Sequence, residues 1–182
     1  MIRVTVDSIR VSLLTQHRVV VLREVDSRRY LPIWIGAPEA DAIAMAIQGH
    51  EPQRPLTHDL LKALITALGG TMVHMAVVDI QDNTFFARIV IELHGKMVEV
   101  DARPSDAIAL AVRTDVPIYV EPHVLDQVGI FLDEEEQPTP ISQEPGTVEP
   151  EAEPTDEDIS IFRNFINTLN LDNPEKGGAE RS

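Results

Sequence analysis

The sequence predicts a single α/β domain over about the first 131 residues, followed by an acidic, proline-rich tail. Strand-like apolar runs near the N-terminus, helix-like apolar spacing further along and a sharp change of composition after residue 132 support this division. The 182 residues suffice for one ordinary domain and an appendage. Because 43% of the residues are hydrophobic but only 4% are aromatic, the core must be largely aliphatic.

The first third is predicted to form an antiparallel meander of three strands. Apolar residues alternate from Val4 to Leu13, with a break in phase near Asp7-Ser8. Val19–Leu22 is a continuous apolar run, typical of a strand buried on both faces. Tyr30–Ile35 is the third strand, and polar stretches between these segments provide the turns.

Three helices are predicted from their start and stop signals. The first runs from Pro38 to Gln48. Thr57 is the predicted N-cap of the second helix and Ser105 of the third, which covers Asp106–Arg113, and residues 124–128 suggest a further helical turn. The apolar face of the second helix comprises Leu60, Leu61, Leu64, Ile65 and Leu68.

Four more strands are predicted after the second helix. Turn residues at Asp82-Asn83 and His94-Gly95 separate the first three of them. The four strands are Met72–Ile80, Thr84–Leu93, Met97–Val100 and Pro117–Val120.

Several classes of protein are excluded by what the sequence lacks. It has no cysteine, which excludes disulfides, thiolate metal sites and cysteine nucleophiles. No window reaches the ~18 apolar residues of a membrane span, and no apolar signal-peptide run opens the chain, so a cytoplasmic protein without membrane contact is expected. Phosphate-binding, dinucleotide-binding, serine-hydrolase and zincin motifs are missing, and no organic cofactor is expected.

The net charge of −15 is concentrated in the tail. Residues 1–131 carry −4 and residues 132–182 carry −11. Residues 132–155 are predicted to be a disordered acidic linker, 156–172 a short amphipathic helix and 173–182 a disordered end. A lone helix of this length is marginal in water, so its apolar face needs a partner: its own domain, another subunit or another protein. That face comprises Ile159, Phe162, Phe165, Ile166 and Leu169.

Two helices are introduced by similar motifs, in which Arg-Pro is followed by a hydroxyl residue and an aspartate. The motifs are Arg54–Asp59, which also contains His58, and Arg103–Asp106, which Asp101 precedes. Each has an ordinary structural explanation, since hydroxyl caps and early acids stabilise helix starts, and arginine–aspartate pairs lock loops.

The same residues also suit phosphodiester hydrolysis. Asp101 and Asp106, with Asp59 as a further candidate, are suited to holding magnesium or manganese. Arg54 and Arg103 would bind phosphate, and His58 would transfer the proton. The structural and the catalytic interpretations both remain open at this point.

A series of segments resembles the bifunctional nuclease domain family in order and spacing. The resemblance covers essentially the whole domain and none of the tail. It implies an α/β (α+β) fold with a mixed, largely antiparallel sheet and three to four packed helices, self-association as a dimer or trimer, and cleavage of DNA and RNA as described for plant members. The segments are Leu31–Gly36, Glu39-Ala40, Arg54–Leu61, Phe86-Ala87, Asp101–Ala111 and Pro117–Val120.

Two functions are therefore predicted. The leading one is a metal-assisted nuclease that acts on DNA or RNA through the residues named above. The alternative is a non-enzymatic oligomeric scaffold or regulatory module, in which the Arg-Pro motifs are structural and the C-terminal helix recruits a protein partner.

Overall fold

A computed structural model describes residues 1–11 and 17–131, which form an eight-stranded sheet and four helices. The predictions for Leu13, for the tail segments 132–155, 156–172 and 173–182, and for part of the first turn lie outside these residues. The strands are β1 (Ile2–Val11), β2 (Arg18–Glu24), β3 (Arg29–Ile35), β4 (Gly70–Gln81), β5 (Thr84–Leu93), β6 (Lys96–Ala102), β7 (Ile118–Val120) and β8 (Ile130–Phe131). The helices are α1 (Ala37–Ile47), α2 (Thr57–Ala67), α3 (Pro104–Thr114) and α4 (Pro122–Val128).

The sheet is mixed and largely antiparallel, which confirms the predicted fold class. Its strand order is β6-β5-β4-β7-β1-β2-β3-β8, and the β4–β7 pair is its parallel pair. The meander β1-β2-β3 is antiparallel throughout, as predicted. The short edge strand β8 was not predicted; it pairs with the start of β3.

Irregularities in the sequence pattern correspond to irregularities in the strands. The register of β1 against β2 shifts between Val6 and Ser8, where the apolar alternation changes phase. The two predicted hairpin turns have left-handed backbones, with φ of 47° at Asp82, 58° at Asn83 and 51° at His94. Such conformations at both central positions are those of the tight turns that fit the twist of paired strands.

Helix α3 is the centre of the core. All five residues from Ala107 to Ala111 are buried, and α3 contacts α1, α2, β4 and β5. The predicted N-cap, Ser105, is wrong by two positions: Arg103 caps the helix and Pro104 occupies its first turn. Proline suits that position because it lacks the N–H that would be unpaired there and has a helical φ.

Helix α2 lies at the periphery of the same layer. Its N-cap is Leu56 rather than Thr57, and the backbone N–H of Leu56 donates to Asp59 Oδ2 over 2.9 Å. His58 is the buried residue of this helix, whereas Leu60, Leu61, Leu64 and Leu68 are exposed. None of the four helices is long and apolar enough to cross a membrane.

Candidate functional site

The first turns of α1, α2 and α3 meet through a chain of four charged or polar side chains, which we call the Arg103 cluster. Its members are Glu39 from α1, His58 from α2, and Arg103 and Asp106 from the start of α3. Because backbone N–H groups at helix starts point outward, the combined dipoles make this region favourable for negative charge. The carboxylates of Glu39 and Asp106 lie in this positive potential and are stabilised by it.

Arg103 connects α1 to α3. Its Nε donates to Asp106 Oδ2 over 2.6 Å, and its Nη2 donates to Asp106 Oδ1 over 3.1 Å and to Glu39 Oε1 over 2.8 Å. The Arg103 side chain is still 66% exposed. Its Nη1 has no hydrogen-bond partner among residues 1–11 and 17–131. Two N–H donors of this exposed guanidinium therefore have no acceptor among those residues.

His58 is oriented by Asp106. The His58 Nε2 lies 3.2 Å from Asp106 Oδ1, and the imidazole is 9% exposed. An ionised carboxylate is only an acceptor, so this contact requires the hydrogen on Nε2 and leaves Nδ1 as the free lone pair of the neutral ring. A carboxylate also fixes the tautomer of the general-base histidine in many hydrolases, but there it binds Nδ1 and leaves Nε2 as the base.

Asp106 is held in its ionised form. Burial alone would raise the pKa of Asp106, but hydrogen bonds from Arg103 and His58 and the charge of Arg103 outweigh it and lower the pKa below the usual range. The carboxylates of Asp106 and Glu39 in turn raise the pKa of Arg103. The cluster therefore keeps both the carboxylate and the guanidinium charged at neutral pH.

Asp59 belongs to a second, more buried ion pair next to the cluster. The Arg113 side chain is 7% exposed; its Nε donates to Asp59 Oδ1 over 2.8 Å and its Nη2 to the carbonyl of Ala42 over 2.9 Å. Burial alone would raise the pKa of Asp59. The hydrogen bond from the Leu56 N–H and the contact with Arg113 outweigh burial, so the pKa is lowered. This contact joins all three helices and fixes the start of α2, which carries His58.

Glu39 and Arg113 were not among the predicted site residues. Glu39 was named only as part of a segment that resembles the nuclease family, without a role in the site. A Cβ built on Gly36 would collide with Glu39 Oε2, so the carboxylate is folded back over the helix start. Arg113 gave no sequence signal, because its partner is 54 residues away in the chain.

The remaining predicted site residues lie outside the Arg103 cluster. Arg54 is exposed in the segment before α2 and makes no hydrogen bond or ion pair within the described ranges. Asp101 lies inside β6, opposite Arg88, and is also exposed. Residues Ala87 and Ile89 on either side of Arg88 are buried, so Asp101 faces away from the sheet surface that carries α3.

The described residues do not by themselves form a metal site. Residues 1–11 and 17–131 contain no group of three histidine, aspartate or glutamate side chains that could hold a metal ion. Both Asp106 oxygens already accept hydrogen bonds from Arg103 or His58. The pairing of Asp101 with Asp106 around magnesium or manganese stays a prediction, and no step below depends on it.

Comparisons with known proteins identify the family of this chain. The family model described as "Bifunctional nuclease domain" matches residues 20–133. The chain belongs to the bifunctional nuclease domain family. The match contains all four helices and all four members of the Arg103 cluster.

Individual relatives divide into a similar bacterial and a distant plant group. An uncharacterized protein of Mycobacterium tuberculosis is 41% identical over 169 residues, which are 93% of this chain and 95% of the relative. That match therefore reaches at least 38 residues beyond residue 131, so part of the tail is shared. Bifunctional nuclease 1 of Oryza sativa subsp. japonica is 24% identical over 127 residues, 68% of this chain and 38% of the rice protein.

Proposed function

We propose that this chain is a nuclease that hydrolyses phosphodiester bonds of DNA or RNA at the Arg103 cluster. The observation that carries the proposal is an oriented histidine beside an exposed, partly unpaired guanidinium. Membership of the bifunctional nuclease domain family and the name of the rice relative support the same class of substrate.

The proposed chemistry uses groups in the cluster. Asp106 keeps the hydrogen of His58 on Nε2, so Nδ1 accepts the proton of a water molecule whose oxygen attacks phosphorus. The Nη1 of Arg103 donates to a non-bridging phosphate oxygen, where negative charge grows as the attack proceeds. The bond from phosphorus to the leaving ribose or deoxyribose oxygen breaks, that oxygen takes a proton from solvent water, and protonated His58 returns its proton to the solvent.

Arg54 and Asp59 have supporting roles in this proposal. Arg54 is exposed and without a partner in the described part of the chain, which leaves its guanidinium available for a neighbouring phosphate. Asp59 holds the first turn of α2 through Leu56 and Arg113 and so positions His58. The binding of magnesium or manganese, with Asp101 as a ligand, remains a prediction. Comparing cleavage with and without manganese tests whether the reaction depends on the metal.

The test is cleavage of labelled single- and double-stranded DNA and RNA by the full chain, with and without manganese. Asp106→Asn should lower the cleavage rate by about 100-fold or more, because the histidine loses its orienting charge. Asp79→Asn is the matched control: Asp79 forms an exposed pair with His123 Nε2 at 3.4 Å, without an arginine. Equal loss in both variants, or equal turnover by Asp106→Asn, would contradict the assignment.

A structural function is the second candidate, and one observation favours it. The Nε and Nη2 groups of Arg103 are already bound to Asp106 and Glu39, so the cluster also joins α1 to α3. If the protein is an oligomeric scaffold, Arg103→Ala would lower the melting temperature, and the natural chain would cleave no more substrate than any of its variants. In the nuclease, the Arg103→Ala variant would lose cleavage even at temperatures where circular dichroism shows it folded.

A further inference from the structure

A group of exposed apolar side chains lies on α2 and on the edge strand β6. Three leucines of α2, the leucine that caps its C-terminal end and two valines of β6 are between 37% and 69% exposed against the described residues. Apolar side chains at helical spacing normally cover a core, and contiguous exposed patches normally mark interaction sites. We call this area the α2–β6 surface; it consists of Leu60, Leu61, Leu64, Leu68, Val98 and Val100.

The two halves of this surface are continuous. A Cβ built on Gly70 would lie 3.2 Å from Ile65 Cγ2 and 3.1 Å from Ile91 Cγ2, so α2 meets β5 above Gly70. Ile91 pairs with Val98 of β6, and paired residues of antiparallel strands share a face. Leu61 and Leu68 flank Ile65 at one turn before and after it. The helix stripe thus leads directly to the exposed face of β6.

We propose that the C-terminal segment 156–172 of this same chain docks on the α2–β6 surface. Its apolar residues Ile159, Phe162, Ile166 and Leu169 recur at spacings of three and four, which matches one face of a helix. The helix-in-groove mode of recognition uses just such spacing against an apolar surface. The apolar residues of the segment need an apolar surface to pack on, and the exposed leucines of the domain provide one.

The length of the intervening chain permits this docking. Residues 132–158 separate Phe131 from Ile159, and 27 residues span up to about 90 Å when extended or about 30 Å as a coil. Phe131 lies on β8, which is five strand spacings, or about 24 Å, from β4 and seven spacings, or about 34 Å, from β6 at the far edge of the surface. The tether therefore reaches α2 without being stretched.

Mass action favours the segment over a second copy of the protein. A tethered segment has an effective concentration on the order of millimolar, whereas another molecule competes at its bulk concentration. The acidic character of residues 132–158 also keeps different copies apart by charge repulsion. Docking in cis is thus the expected arrangement.

The absence of cysteine from the chain allows a direct test by disulfide trapping. In the full chain, Leu60→Cys on the rim of the α2–β6 surface is combined with Ser160→Cys in the tail. The control combines Asp26→Cys with Ser160→Cys. Asp26 is exposed in the β2–β3 turn, three residues from Arg29, which pairs with Phe131. A tail without a docking site would reach this control position at least as readily.

The expected result is an intramolecular disulfide that forms on the order of tenfold faster, or more, than in the control. Its rate should not change on dilution, and adding Phe162→Ser should reduce it to the control rate. Disulfides formed only between molecules would overturn the proposal in favour of a second copy as the occupant. Equal rates in the two double variants would overturn it altogether.

Discussion

Helices α2 and α3 begin alike and end up in opposite environments. Both have 11 residues, both have an Arg-Pro pair at or just before their start, and both have an aspartate at the third helical position. In α3 nearly every residue from Pro104 to Ala111 is buried, whereas in α2 only His58 is. Similar start signals therefore produced one helix that forms the core and one that presents a surface.

The spacing inside the two motifs explains part of this difference. Arg103 is three residues before Asp106, so the arginine caps the helix and binds its own aspartate. Arg54 is five residues before Asp59 and lies outside the helix; Asp59 binds Arg113 from α3 instead. The spacing between arginine and aspartate is two residues longer in the α2 motif. The α3 motif therefore forms a local ion pair, whereas the aspartate of the α2 motif binds an arginine of another helix.

The sharpest test of the comparison is truncation of one leucine in each helix. Leu110 of α3 is fully buried, so Leu110→Ala should lower the free energy of unfolding by about 2–5 kcal/mol through lost burial and a cavity. Leu64→Ala in α2 should cost less, about 1 kcal/mol, because Leu64 lies on the surface of the domain and only the docked tail segment proposed above would cover it. Urea denaturation of the full chain measures both, and similar losses would show that α2 is covered as completely as α3.

The next largest difference in stability is expected between substitutions of Arg113, which binds Asp59, and of Arg54, which precedes α2. Arg113→Met removes a buried guanidinium from Asp59 and two carbonyls, and should cost about 2–3 kcal/mol, less than a fully buried pair because Asp59 is partly exposed. Arg54→Met should change the stability by less than about 0.5 kcal/mol, since Arg54 has no partner in the described ranges.

Chemical denaturation of both variants checks this difference. A large effect at Arg54 would mean that it has a structural partner in the tail. A negligible effect at Arg113 would mean that the ion pair merely offsets the desolvation of its charges.

The two aspartates should make stability depend on pH in the acid range. Folding lowers the pKa of Asp59 and of Asp106. Each therefore contributes stability above the unfolded-state value of about 3.9, and that contribution disappears as pH falls through the lower folded-state pKa.

The free energy of unfolding, measured from neutral pH to below pH 4, tests this dependence. The difference between the natural chain and Asp59→Asn or Asp106→Asn should shrink below about pH 4. A difference that stays constant throughout would show that the two pKa values are not lowered by folding.

Local signals made most of the fold predictable from the sequence. Turn residues such as Asn83 and Gly95, the phase break near Asp7 and the apolar runs located the strands and helices, because these features act within a few residues. The ends of the strands and helices were predicted less accurately. For example, β6 extends to Ala102, so Asp101 lies within a strand rather than beyond it.

The candidate site was only partly predictable, because its contacts are tertiary. His58, Arg103 and Asp106 were named together from their residue types, and the structure brings them into contact. Glu39 and Arg113 complete the arrangement from positions 64 and 54 residues away from their partners. Periodicity likewise revealed the leucine stripe of α2, but whether a stripe is covered depends on the neighbouring elements.

A small effect is expected at Gly36, which supports the α1 side of the Arg103 cluster. Its added Cβ in Gly36→Ala would collide with the end of the Glu39 side chain, which can rotate away and release Arg103. Because Arg103 is largely exposed, losing this contact should cost about 1 kcal/mol or less. Glu39→Gln should have a similar effect, and the double variant should be no less stable than the worse single one. Additive losses in this double-mutant cycle would contradict the idea that Gly36 acts through Glu39.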